Sequence, residues 1–247
     1  MREDDNTIIS FPSTPELQDM VLENENNLPA LDHRIDQQRF YIRMANSQGR
    51  REAASLLIKK MYAWRGYDVD PSAPHAMNKI TLFAEAGSLT VGTMTLCLDD
   101  EGGLPADENF RDKLDELRTQ GRRLCEPSRL AIDKGVSKRV FAALIHISYI
   151  YAHNIHGYTD YVIEVNPRHV MFYKRMLGFT DFGGQRECTR VNAPAVLLRL
   201  ELDYMREQIQ KFGGLMERHG VERSFYPYFF PTWDEPGITD RLQQGRS

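Results

Sequence analysis

Glu126 and Arg129 stand three residues apart in the run Leu124-Cys-Glu-Pro-Ser-Arg-Leu-Ala-Ile132, and they are the pair best suited to proton chemistry. A carboxylate beside an ammonium can take its proton and free the nitrogen to attack. A guanidinium can hold that carboxylate, or an incoming one, by a bidentate pair. The same two residues also suit a buried ion pair that only fixes a strand. Further along, Tyr173 follows Asn166 by seven residues, ahead of the pair Gly178-Phe179. A phenol there can hand a proton to a departing anion, or it can pack with its hydroxyl at the surface. Between these segments, Lys134-Gly-Val-Ser-Lys138-Arg139 runs into an apolar stretch. The N-terminus of a helix offers free N–H groups and a positive dipole end, and Ser137, Lys138 and Arg139 add a hydroxyl and charge, so a phosphate fits. With Gly135 as its one glycine, the turn wraps a single phosphate more readily than a pyrophosphate. An ordinary solvated basic turn is the other reading.

These groups need a scaffold, and its elements are legible in the pattern. Residues 79–84 and 88–98 read as two strands joined at Gly87, residues 111–121 as a charged helix, and residues 124–133 as a strand. Residues 140–156 form a strongly apolar helix closed by Gly157. Residues 161–165 form a short strand, residues 170–177 a helix capped by Gly178, and residues 195–202 a last strand followed by a helix over 203–212. A helical pattern also covers residues 53–62. Strands alternating with helices in the second half predict βαβ units with neighbouring parallel strands, preceded by an antiparallel hairpin. The fold class is therefore α/β, with a central mixed sheet flanked by helices. Residues 1–30, rich in Asp, Glu and Asn and broken by prolines, read as a mobile acidic leader. The main domain spans residues 31–205, and residues 206–247 supply a C-terminal helix and an aromatic, proline-rich tail packed on it.

Composition narrows the function classes. The 247 residues carry a formal net charge of -4, so no overall basic field draws nucleic acid. Cys97, Cys125 and Cys188 are odd in number, far apart and without metal-site spacing, which points to reduced thiols, a cytoplasmic location and no metal. The longest apolar run contains His146, His153 and Asn154 and is too short to span a bilayer. The histidines on it lack the partners of a metal site and read as core or surface residues.

The segment 161–179 is similar to the GNAT acyltransferases, in which a strand, an Asn, a helix bearing a Tyr and a closing Gly-Phe recur. The resemblance implies that an acyl-thioester donor lies in a gap between splayed strands, with Leu130, Ala131, Ile132, Lys138, Arg139 and Asn166 binding its phosphopantetheine arm. Tyr173 would protonate the thiolate, and Glu126 would act as base. The implied fold also carries a bulge near Arg129, which would bring that side chain round to the side of Glu126. Glu126-Pro-Ser-Arg129 further resembles the acyl-homoserine lactone synthases. The longer match is with the N-acyl amino acid synthases, over about residues 39–202. It rests on Val91-Gly-Thr-Met-Thr-Leu96, Gly103-Leu-Pro-Ala-Asp107, Leu114-Asp-Glu-Leu-Arg118, Glu126-Pro-Ser-Arg-Leu-Ala-Ile132 and Val191-Asn-Ala-Pro-Ala-Val-Leu-Leu198. That family implies a long-chain acyl donor on acyl carrier protein and an amino-acid acceptor, with no bound cofactor. Acyl-coenzyme A is the alternative donor. Trp64 and Tyr67 lie where the lactone synthases close a pocket over their acceptor. Only Asp68 and Asp70 stand where those enzymes carry a larger acidic cluster, which disfavours S-adenosylmethionine. A lactone synthase, an acetyl-transferring relative and a non-catalytic acyl- or carrier-binding module remain as alternatives.

Overall fold

A computed structural model describes residues 7–12, 39–44, 55–59, 78–133, 135–188, 192–217 and 221–244. Eight strands form one sheet in the order β1-β2-β3-β4-β5-β6-β8-β7. They are β1 (Thr7–Pro12), β2 (Arg39–Met44), β3 (Lys79–Ala86), β4 (Leu89–Leu98), β5 (Leu124–Ile132), β6 (Asp160–Val165), β7 (Thr180–Cys188) and β8 (Ala193–Glu201). The helices are α1 (Asp107–Thr119), α2 (Lys138–Tyr149), α3 (Val170–Leu177), α4 (Leu202–Phe212) and α5 (Glu235–Gln244). A π-helical segment, Ile150–Ile155, extends α2.

The period-2 alternation of the strands sorts neighbouring residues onto two faces. Leu124, Val162, Leu197 and Cys97 pack with Phe110, Leu114 and Leu117 of α1. Their chain neighbours Cys125, Tyr161, Leu198 and Leu96 pack on the other face with α2. Helix α2 is apolar around its whole circumference because both sides are covered: every residue from Val140 to Tyr149 is buried. The tail Phe225–Phe230 closes over it, with Phe225 in ring contact with Phe141 at 4.8 Å.

Three expectations change. Residues 7–12 of the supposed mobile leader form β1, an edge strand antiparallel to β2 that buries Ile8 and Phe11. β5 and β6 are parallel neighbours, as the βαβ reading requires, but the strand after α3 is not adjacent to β6. The additional strand β7 takes the sheet edge, and β8 returns antiparallel between it and β6. Helix α1 gains a turn ahead of the expected start: the residues from Asp107 join the part beginning at Arg111 across a kink at Phe110, whose φ of -132° and ψ of 26° are not helical.

Candidate active site

The site starts from a short pairing. β5 and β6 bond only at Leu124↔Asp160 and Cys125↔Tyr161, after which β5 runs on to Ile132 and β6 to Val165 without meeting. Buried Asp160 anchors the root of the split, accepting Arg122 Nε at 2.6 Å and Arg199 Nε at 2.8 Å. Above it a cavity of about 1030 Å³ passes between the strands. Cys97, Leu104 and Ala195 line it from the α1 face, and Ile145, Leu177 and Phe179 from the α2 face. Two diverging strands present unpaired backbone groups to such a gap, and apolar walls flank them. A linear ligand with amide groups and an alkyl end fits that arrangement.

Glu126 lies on the cavity wall, 3% exposed, and its Oε2 accepts the backbone N–H of Ala106 at 2.8 Å. The β4–β5 register slips between Thr93 and Thr95, leaving one extra residue in β5, and Arg129 there has a left-handed φ of 50°. This is the expected bulge, and it breaks the alternation that would send Glu126 and Arg129 to opposite faces. The thiol of Cys97 feels both charges. Among the described residues, however, Arg129 makes no ion pair or hydrogen bond with Glu126, so the structural ion pair is not formed. Its half-buried guanidinium lines the cavity instead. Lys79 and Arg111, which sequence reasoning passed over, line the same cavity, also without hydrogen-bonded partners among the described residues. Burial and then the Glu126 charge push the Cys97 thiol up to about 11, so it stays protonated and is no nucleophile.

On the far side of the gap, Asn166 ends β6, and its side chain accepts Arg168 N–H at 3.2 Å, starting the turn into α3. Tyr173 of α3 lines the cavity edge-on to Phe179, with ring centroids 5.8 Å apart. Gly178, at φ 84°, caps α3 as expected. Leu130 lines the cavity too. Ala131 and Ile132 do not: their backbones pair with Thr93 and Gly92 of β4, and Ala131 packs on Leu57 and Ile58. Of the two basic residues, Lys138 borders a separate pocket of about 240 Å³ at the α2 N-terminus, beside Arg223 and Ser224. Arg139 turns away from the donor side. Its guanidinium lies 5.0 Å over the Phe11 ring and donates to Pro12 O at 3.4 Å, because β1 offers an aromatic face there. Trp64 and Tyr67 lie outside the described residues.

Besides Lys79 and Arg111, two more cavity residues escaped the sequence. Glu164 of β6, on the same face as Val162, accepts Asn109 Nδ2 at 2.6 Å. Tyr161, fully buried, shares a 2.7 Å hydrogen bond with Ser148. The alternation of β6 was the available signal for Glu164, since a charged residue in a strand this buried demands a reason.

A chain of this fold with a carboxylate, a guanidinium and a phenol around a split between parallel strands invites comparison with known proteins. The family model for the N-acyl amino acid synthase FeeM matches residues 53–201. The chain belongs to the FeeM family of N-acyl amino acid synthases. Its fold is that of the GNAT enzymes, and as a member of this family it is an N-acyltransferase. The solved FeeM structure, from uncultured soil microbes, is 28% identical, with a TM-score of 0.63 over 69% of this chain and 95% of that one. The AHL synthase LasI aligns at 14% identity and a TM-score of 0.44, over 67% and 91% of the two chains. An N-acetyltransferase from Staphylococcus aureus Mu50 aligns at 12% and 0.48, over 66% and 98%. Comparison with curated proteins returns no match. Within the FeeM family, then, the cavity between β5 and β6 is the candidate active site of this member. No helix among its described residues is long and apolar enough to cross a membrane.

Proposed function

We propose that this FeeM-family enzyme moves a long-chain acyl group from the phosphopantetheine thioester of acyl carrier protein to the amine of an amino acid, in the cytoplasm. The observation that carries the reading is the buried carboxylate of Glu126, set on the wall of a cavity that passes through the sheet where β5 and β6 part. The donor arm enters between the strands, the alkyl chain lies along Leu130, Ile145, Leu177 and Phe179, and the acceptor approaches from the α1 face. Glu126 takes a proton from the acceptor ammonium. The amine then attacks the thioester carbonyl, a C–N bond forms and the C–S bond breaks. Tyr173 hands its phenolic proton to the departing sulfur. The nitrogen gives up two protons in all: one replaces that of Tyr173 and one passes through Glu126 to solvent. The cations Lys79, Arg111 and Arg129 suit an acceptor that carries a carboxylate. The glycine-poor turn with Lys138 favours a single phosphate, and so a carrier protein over coenzyme A.

The test offers the protein acyl carrier protein and coenzyme A thioesters of several chain lengths, with pooled amino acids or S-adenosylmethionine, and reads products by mass spectrometry. A long-chain N-acyl amino acid formed faster from the carrier protein is expected. A lactone, or a preference for short coenzyme A thioesters, would replace the proposed substrates.

A further inference from the structure

The phrases Gly103–Asp107 and Leu114–Arg118 supply none of the reacting groups, yet the fold connects them to the base. Arg118, in the last turn of α1, holds the carboxylates of Asp99 and Asp107 at once, besides that of Asp115 three residues back on the same helix. Its Nε and Nη2 donate to Asp99 at 2.8 Å, and its Nη1 and Nη2 donate to Asp107 at 2.7 Å. Asp99 follows β4 and Asp107 opens α1, so Arg118 closes the loop between them end to end. The loop is tied down at further points. Asp107 Oδ2 also accepts Leu104 N–H at 2.7 Å, and Asp99 N–H donates to Leu124 O at 3.0 Å, at the start of β5. Gly103 sits at φ 69°, and a Cβ there would lie 2.7 Å from Asp107 Oδ2, so the turn admits no side chain. Asp107 is 7% exposed; burial alone would raise its carboxyl, but the Arg118 and Leu104 bonds outweigh burial and hold it below the usual carboxylate range. The residue before it, Ala106, is the one whose N–H reaches Glu126.

We propose that Asp99, Asp107 and Arg118 are positioning residues for the base, acting through the Ala106 N–H; this rests on the reading of Glu126 as the proton acceptor. A backbone donor has no rotamer of its own, so its aim is set wholly by the loop that carries it. The loop is long and polar, and ends on a helix whose first residue has no side-chain cap, Ala106 occupying that position. The clasp supplies the fixity that a cap would otherwise give. A preset N–H both orients a buried carboxylate and favours its ionised form, the one that can accept a proton. The three charges of the clasp thus act on the substrate through Ala106 and Glu126, without touching it.

A kinetic double-mutant cycle tests this. Asp107→Asn keeps the shape and removes the charge; kcat should fall about tenfold with the donor KM unchanged, the loss expected when a hydrogen bond to a charged group is misaimed. Glu126→Gln should fall about a hundredfold or more, and the double variant no further, because the clasp has nothing left to aim. Gly103→Ala, which displaces the Asp107 carboxylate while deleting no charge, should show the same pattern and covers the case in which Asp107→Asn folds poorly. Losses that add in the cycle, or an unchanged kcat in both loop variants, would overturn the positioning role while leaving the base in place. Full turnover in Glu126→Gln would remove the base itself, and the clasp's role with it.

Discussion

Glu126 and His146 are two ionisable side chains buried on opposite faces of the sheet, and each accepts a backbone N–H. Ala106 donates to Glu126 at 2.8 Å, and Phe230 donates to His146 Nδ1 at 3.1 Å. Their other sides differ. Glu126 borders a cavity of about 1030 Å³. The Nε2 of His146 meets Glu235 at 3.2 Å, and its ring is stacked by Phe229 and Phe230 at 5.1 and 5.7 Å. Because Nδ1 accepts, the proton sits on Nε2 and is donated to Glu235. Both residues satisfy the rule that buried polar groups are hydrogen-bonded. Only one of them leaves room for a substrate. Burial and bonding therefore do not distinguish a reacting group from a structural one; the space beside it does, and that space exists here because β5 and β6 stop pairing after two residues.

The sharpest way to break this comparison is to substitute both residues and read both activity and stability. Glu126→Gln should lower kcat by about two orders of magnitude or more while the melting temperature moves little, since the amide still accepts from Ala106. His146→Leu should do the reverse: it leaves the Phe230 N–H and Glu235 without their partner, costing about 2–4 kcal/mol in a denaturant melt, with kcat of the folded protein unchanged. A His146 variant that is fully stable but inactive would move the chemistry to the wrong face.

The second test uses pH. Burial lowers the affinity of His146 for a proton, and the bond to Glu235 only partly restores it, so its folded value lies below the ordinary 6.5. Below pH 6.5 the unfolded chain then takes up a proton that the folded chain refuses, and stability falls as pH drops through that range toward the folded value. The slope is at most about 1.4 kcal/mol per pH unit from this one group. The protection factor of the Phe230 amide, the intrinsic exchange rate divided by the observed one, should fall as pH is lowered below 6.5. The Glu126→Gln protein should keep this dependence and His146→Leu should lose it.

What the sequence discloses follows the same divide between local and distant causes. The β5 segment, the α3 helix with Gly178 and the apolar α2 are written in short-range patterns, and the structure matches them. The bulge at Arg129 came from the family resemblance, because a run such as Pro127-Ser-Arg-Leu130 carries no bulge signal of its own. Strand β7, Thr180–Cys188, has Gly183-Gly184 at its centre and two register shifts against β8, which erase the period of two that would announce it. Strand β1 buries only Ile8 and Phe11, too few to stand out in a polar leader. The turn from Asp107 that precedes the kink at Phe110 is tied to Arg118, eleven residues on, and no side-chain cap announces it. The donor to Glu126 is a main-chain N–H twenty residues away, and main-chain donors have no letter in the sequence.

The smallest expected effect separates Lys138 from Arg139, adjacent residues that the sequence treats alike. Ser137 caps α2 by accepting Arg139 N–H at 3.2 Å, which directs the Arg139 side chain toward β1 while Lys138 borders the pocket at the helix N-terminus. Burial lowers the proton affinity of Arg139, in keeping with a guanidinium that serves packing over the Phe11 ring. If the donor's phosphate rests at that helix end, Lys138→Ala should raise the KM for acyl carrier protein several-fold, and the difference from wild type should shrink as salt rises and screens the contact. Arg139→Ala should leave that KM and its salt dependence nearly unchanged, and should instead loosen β1, at a cost of about 1 kcal/mol from the lost cation–π contact and alkyl packing. Titrating both variants with carrier protein across a salt series, alongside denaturant melts, reads the two effects on separate axes. Equal losses of carrier affinity in the two variants would show that both side chains reach the donor, and that the turn of Arg139 onto Phe11 gives way when the carrier binds.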